Sequence, residues 1–189
     1  YLMAKDLILH IIGDIGVDGA TYRAMEFAGD GVMSLTIEER MTLCNMVIEA
    51  GGKNGIIAPD ETTEAFVKSK TGKPYEVISN DADAPFHSLR VYKTKDIEPT
   101  VAKPHSPDNR DTALRCRDVV LDRAYIGSCT GGKVTDFRAA ASILKGKQVK
   151  VDTFVVPATT EVARALATEY LDGESLQSIF EKAGARISQ

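Results

Sequence analysis

Among the side chains of this chain, the thiol of Cys129 sits in the surroundings best suited to chemistry near neutral pH. It lies in the stretch Ala124-Tyr125-Ile126-Gly127-Ser128-Cys129-Thr130-Gly131-Gly132-Lys133, where a strand-forming run hands over to a helix-forming one. Ligand sites in open α/β sheets gather at the carboxyl ends of strands. Glycines let backbone approach a ligand closely, and the start of the following helix offers free N–H groups and partial positive charge. A thiol in such a place loses its proton more readily. Cys129 is therefore expected to be an anion, acting as a nucleophile or as a metal ligand. Spacing alone leaves rivals open. A phosphate loop is one, although the pattern is neither GxGxxG nor a Walker motif. A nucleophile would need a partner base, and His10, His87 and His105, the only histidines, are all remote in sequence. A small buried thiol in a glycine-rich turn is the third.

The other polar candidates carry less on spacing alone. Asn45 and Glu49 are four apart on an expected helix, so both should project from one face at the margin of its apolar stripe. Without further information they read as a solvent-facing pair. Cys44 falls on the apolar stripe and should be a buried small residue. Cys116 stands between Arg115 and Arg117 and matches no ligand pattern. His105 lies in a proline-rich turn and reads as a local hydrogen-bonder. Asp14 and Asp18 read as turn-makers, and Lys133 and Asp136 as a solvent-facing and a capping residue, with Lys133 also able to face an anionic substrate.

Leu2 to Ile12 reads as a helix ending near Gly13, and Thr21 to Phe27 as a strand. Thr36-Ile37-Glu38-Glu39 fits a capping box. Ile37, Met41, Cys44 and Ile48 recur at helical spacing as the expected buried face, and Gly51-Gly52 stops that helix. A short strand from Gly55 to Ala58 leads to a helix capped by Asp60. Tyr75–Ile78 and Leu89–Lys93 are strand candidates. Pro99, Pro104 and Pro107 mark 95–111 as a linker. Beyond it, strands at Val119–Ile126 and Val149–Val156 alternate with helices at Lys133–Leu144, Thr160–Tyr170 and Ser175–Ala183. That rhythm implies a parallel sheet with crossovers.

Composition excludes several classes. The chain has 189 residues, 43% hydrophobic and 26% charged, with a net charge of −4. No apolar run approaches the ~20 residues of a membrane span, and no secretory signal opens the sequence. There is no basic stripe for nucleic acid. Three widely spaced cysteines argue against a disulfide framework. Tyr1-Leu2, without an initiator Met, and Ile187-Ser188-Gln189 read as cut edges.

Several of these motifs resemble one family. Ile126-Gly127-Ser128-Cys129-Thr130 resembles the cluster-cysteine signature of the aconitase superfamily. Cys44-Asn45-Met46, followed by Glu49 and Gly51, resembles its Asn/Glu helix. Ala58-Pro59-Asp60-Glu61-Thr62-Thr63 and Pro104-His105-Ser106-Pro107-Asp108-Asn109 are similar to motifs of its isopropylmalate dehydratase large-subunit branch, as is Val156-Pro157-Ala158. The order covers essentially the whole chain. One departure is Gly131-Gly132, where many members have Asn after the SCT.

The resemblance implies three-layer α/β domains with mainly parallel sheets. Residues 1–105 would form one domain, and 106–189 the first part of the next. It implies a [4Fe–4S] cluster for which Cys129 is the first cysteine ligand, the other two lying outside this chain, and it implies active-site roles for Asn45 and Glu49. The expected activity is dehydration and rehydration between 2-isopropylmalate and 3-isopropylmalate in leucine biosynthesis, shared with a separate small subunit. The substrate would be a small dicarboxylate hydroxy acid, and the setting cytoplasm or plastid stroma. This stretch alone is expected to be inactive. The alternatives are a homoaconitase or methylmalate-type dehydratase, or a noncatalytic or RNA-binding protein of the same fold.

Overall fold

The computed structural model describes residues 2–188. The chain divides into two compact units, Tyr1–Cys116 and Arg117–Gln189. The expected division was at 105/106; segment 106–116 instead stays with the first unit. Among the described residues no helix is long and apolar enough to cross a membrane.

The first unit opens with helix α1, Ala4–Ile15, whose inward side carries Ile8, Leu9, Ile11 and Ile12. It runs past the expected stop. Gly13 lies inside the helix, and Arg110 crosses over it: a Cβ there would sit 2.4 Å from the Arg110 side chain. The chain turns at Gly16 (φ 80°), whose N–H donates to Ile12 O. Strand β1, Ala24–Phe27, pairs in parallel with β2, Asn54–Ile57. Between them lie a one-turn helix α2, Asp30–Met33, and helix α3, Ile37–Asn45, which continues as a 3₁₀ segment over Met46–Ala50. The Thr36–Glu39 capping box forms as expected, and Gly51 ends the segment in the left-handed region.

The buried arc of α3 is not the expected one. Met41 is 40% and Ile48 67% exposed, whereas Arg40, Leu43, Met46, Val47 and Ala50 point inward. The pattern misled because Arg40 counts as polar yet is 3% exposed. Its guanidinium forks onto Asp60 (2.6 and 2.8 Å) and donates to the carbonyls of Leu35 and Met33. Asp60 also caps α4, Glu61–Lys70, by accepting from Thr63 N.

Neither 75–78 nor 89–93 forms a strand; the chain is irregular there apart from a 3₁₀ turn at Thr94–Asp96. The proline-rich segment is no linker. β3, Thr100–Ala102, and β4, Arg110–Thr112, pair antiparallel. The three prolines stand outside the ladder, so they break no sheet hydrogen bond. Thr100 N donates to Asp6 Oδ1 of α1 (2.7 Å), and Asn109 closes the hairpin loop onto Pro104 O. These ties hold 100–112 in the first unit.

The second unit is a three-stranded parallel sheet in the order β5-β6-β9: Arg123–Gly127, Asp152–Val156 and Arg186–Ile187. Residues 119–122, expected within the first of these strands, precede it as irregular chain, and Val119, Val120 and Leu121 are exposed. A one-turn helix α5, Ser128–Gly131, and helix α6, Val134–Leu144, join β5 to β6. Helix α7, Thr160–Thr168, a small hairpin of β7, Tyr170–Leu171, and β8, Glu174–Ser175, and helix α8, Leu176–Lys182, lead to β9. Phe137, Val155, Leu166, Leu176, Ile179 and Phe180 form its core. The parallel α/β expectation for this part is met.

Candidate functional site

β5 delivers the Cys129 loop. Strand pairing aligns Gly127 with Val156, so the loop leaves the sheet beside the end of β6. Two glycines make this possible. A Cβ on Gly127 (φ 123°) would lie 2.1 Å from Val156 O, and one on Gly132 would lie 2.3 Å from Ser128 O and 2.8 Å from Ala158 N. The Val156-Pro157-Ala158 strand end then fastens the loop, with Ala158 N donating to Gly132 O (3.0 Å). Ser128 itself sits at φ 75°, a conformation few side chains adopt readily.

Cys129 lies exposed on this turn, which removes the reading of a buried space-filler. The hydroxyl of Ser128 donates toward its sulfur (3.8 Å), and that of Thr130 lies equally near. These two hydroxyls hold the thiol below its ordinary pKa, against the opposing effect of burial, and the backbone N–H groups of Cys129 and Thr130 add to the lowering. The shift runs in the expected direction, with the hydroxyls contributing more than the backbone. No histidine occurs in 117–189, so within its unit the thiol has no imidazole base.

Lys133 departs from its expected role. Its ammonium turns back and donates to Cys129 O (2.7 Å) and Thr130 O (3.0 Å). Its backbone N–H donates to Asp136 Oδ2 (3.0 Å), the capping contact of α6. Spacing alone did not reveal this: a four-residue return from lysine to a carbonyl has no signature in sequence.

Asn45 and Glu49 lie in the first unit and Cys129 in the second. Asn45 is the last residue of α3 and Glu49 belongs to the 3₁₀ segment; both are exposed. With three residues per turn in a 3₁₀ helix, Glu49 no longer stacks directly over Asn45 as a continuous α-helix would place it. Cys44 is half-buried, and burial pushes its thiol pKa up. It faces an open apolar hollow with Ile37, Met41, Ile56 and Ile57, instead of the core. Cys116, also half-buried, belongs to the turn after β4, where its N–H reaches the carbonyls of Thr112 and Ala113. His105 sits in the β3–β4 hairpin loop. Asp14 is in α1 and accepts from Tyr92 Oη (2.7 Å), so it is no turn-maker. The ring of Tyr92 meets His10 edge-on, and the buried Nδ1 of His10 has no partner. Burial is the largest cause of its lowered pKa, with Arg110 adding to it and Asp14 opposing it. Among the described residues no three His, Cys, Asp or Glu side chains come together as a metal-binding group. The donor set at the loop is one thiol.

The model of the aconitase family (aconitate hydratase) matches residues 1–115 and 109–189. The chain is 54% identical over 189 residues to the chloroplastic 3-isopropylmalate dehydratase large subunit of Arabidopsis thaliana, covering 97% of this chain and 37% of that protein. It is 48% identical to the 3-isopropylmalate dehydratase large subunit of Syntrophus aciditrophicus, covering 100% and 44%. It is 45% identical to the probable 3-isopropylmalate dehydratase large subunit of Methanothermobacter thermautotrophicus, covering 99% and 44%. The chain thus spans less than half the length of these relatives.

Proposed function

This chain belongs to the aconitase family, and from that premise we propose that it is part of the large subunit of a 3-isopropylmalate dehydratase. The whole protein would interconvert 2-isopropylmalate and 3-isopropylmalate by loss and return of water in leucine biosynthesis. It would work with a small subunit that completes the site, in cytoplasm or, in a plant, the plastid stroma. The names of the relatives support the activity and the subunit class. The observation that carries the site is the exposed thiol of Cys129 at the carboxyl end of β5, its pKa lowered chiefly by the Ser128 and Thr130 hydroxyls.

Cys129 fits a [4Fe–4S] cluster as one of its ligands: iron–sulfur clusters are held by thiolates, and this thiol is exposed with its pKa lowered. The family resemblance assigns the remaining cysteine ligands to sequence outside this chain. When bound, the cluster supplies a Lewis-acidic iron for a hydroxyl leaving group and a carboxylate. Gly127 and Gly132 let the loop lie close against β6, so that Cys129 is presented from a fixed backbone. Asn45 and Glu49 are proposed to hold the hydroxyl or water that leaves and returns, Asn45 by its amide and Glu49 by its carboxylate.

The test is the full-length large subunit with its small subunit, assayed against 2-isopropylmalate, homocitrate and citraconate. Wild type should turn over 2-isopropylmalate preferentially. Cys129→Ser should lose iron, acid-labile sulfide and turnover together. Preference for homocitrate or citraconate would reassign the substrate. Full cluster content in Cys129→Ser would remove the reading of the site.

A further inference from the structure

A four-residue helix cannot support itself. Its carbonyls find no partner within so short a turn, and a single turn is unfavourable to nucleate. α5 has the further burden of Ser128 in the left-handed region. Something outside α5 must hold it, and the contacts show what does.

We infer that Lys133 is the positioning residue for Cys129: its ammonium clamps α5 by the carbonyls of Cys129 and Thr130 and so fixes the backbone that presents the sulfur. The inference rests on the reading of Cys129 as a cluster ligand only for its consequence in the loaded protein; the clamp itself is a property of the loop.

Several fastenings hold the turn. Ala158 N–H binds Gly132 O at 3.0 Å. Lys133 N–H binds Asp136 Oδ2 at 3.0 Å, which anchors the loop to the first turn of α6. Neither reaches α5 itself. The Lys133 ammonium does, at 2.7 Å to Cys129 O and 3.0 Å to Thr130 O. One of those carbonyls belongs to the cysteine. Hydrogen bonds from a charged donor are the stronger kind, and here two converge on adjacent peptide groups, so both must break before Cys129 can swing. The geometry also decides between two uses of this lysine. An ammonium reaching for an anionic substrate would extend from the loop; this one folds back and commits two of its three donors to the turn.

The lysine follows directly on Gly131-Gly132. Gly132 has a carbonyl on Ala158 and no room for a side chain. The fastening of α5 therefore falls to the next residue with a side chain, and its backbone is already pinned by Asp136. A long, flexible cation at 133 can reach back four residues; a short polar side chain cannot.

The test compares full-length wild type with Lys133→Met, Lys133→Gln and Lys133→Arg. In the cluster-free protein, amide hydrogen exchange is followed at Ala158, whose N–H is protected only while the loop stays docked, and at Phe180, deep in the same unit's core. Lys133→Met and Lys133→Gln should each speed exchange at Ala158 by about tenfold or more, the effect of losing charge-assisted hydrogen bonds, with Phe180 unchanged. Lys133→Arg, which keeps a charged donor, should restore most of the protection. After anaerobic reconstitution, the visible absorbance of Lys133→Met should bleach in air about tenfold faster than wild type, and Lys133→Arg should lie between. Unchanged Ala158 exchange in both neutral variants, or an arginine variant as fast as the methionine one, overturns the clamp. The two readings fail separately: a Cys129→Ser protein that keeps its cluster defeats the cluster assignment, whereas the exchange data on the cluster-free protein judge Lys133 alone.

Discussion

Side chains that take part in a dehydration must hold a proton or a hydroxyl at a stated atom, and at Asn45 and Glu49 the proposal assigns one such atom to each. Replacing Glu49 by Gln keeps the size and removes the charge; replacing Asn45 by Ala removes the amide. In the complete two-subunit protein both should lower kcat by roughly 10²-fold or more, the scale of a lost proton-handling group. Iron and sulfide content should stay at wild-type level, since neither residue supplies a cluster ligand. A Glu49→Gln protein with wild-type kcat, or one that loses its iron, removes the assignment. Of the candidate site, Cys129 was legible because its signal is local: a strand, a glycine turn and a helix start in ten consecutive residues. Asn45 and Glu49 were legible only through the family motif, because an amide and a carboxylate four apart on a helix are usually a solvated pair. Lys133 escaped because its role depends on where a flexible side chain folds, which no spacing rule records.

At the scale of elements, the Arg40–Asp60 pair joins the end of one motif to the wall of another. Asp60 holds α3 through the guanidinium and starts α4 through Thr63 N. Those hydrogen bonds, Arg40's foremost, hold the Asp60 carboxyl well below the usual carboxylate range. A carboxylate whose folded pKa is depressed adds stability that is fully present above its unfolded value, near ~3.9, and that is lost as pH falls toward the folded value. Asp60→Ala should therefore lower Tm by several degrees at neutral pH. The gap to wild type should close as pH drops from about 5 toward 2. Arg40→Met should cost less, because it leaves Asp60 within reach of water, whereas Asp60→Ala strands a guanidinium that is almost wholly buried. Thermal melts across that range check both statements, and a Tm gap independent of pH would refute the first. The same pair explains why part of the fold was hard to read. Helix ends came through well at Thr36, Asp60 and Ser175, where a side-chain oxygen accepts from the third residue on. The inward face of α3 did not, because an arginine paired in the core carries no apolar signature. The β3–β4 hairpin did not, because its strands are three residues long and framed by prolines. The candidates at 75–78 and 89–93 had strand-like composition but found no neighbouring strand, and β-propensity without a partner is a weak preference.

At the scale of the whole molecule, two units whose cores share no residue divide the cysteines between them. Cys44 and Cys116 belong to the first unit and Cys129 to the second. A cluster drawing its thiolates from this chain alone would need all three, and their surroundings speak against it. Burial raises the pKa of Cys44 on the wall of an apolar hollow, Cys116 is bound into the turn behind β4, and Cys129 alone of the three is exposed with its thiol pKa lowered. Two consequences can be measured. The 189-residue chain, incubated anaerobically with iron and sulfide, should retain no stoichiometric [4Fe–4S] cluster and show no isomerisation. In the full-length large subunit, Cys44→Ala and Cys116→Ala should each keep iron, sulfide and visible absorbance within error of wild type, while Cys129→Ser loses them. Cys44→Ala removes a half-buried sulfur, so its Tm should fall by a few degrees even as its iron content holds. That separation of stability from cluster content is what a packing cysteine predicts and a ligand does not. If instead Cys44→Ala or Cys116→Ala bleaches the protein as completely as Cys129→Ser, the cluster is assembled from this chain's own thiols, and Cys129 is one of several ligands here instead of the sole contribution of its unit.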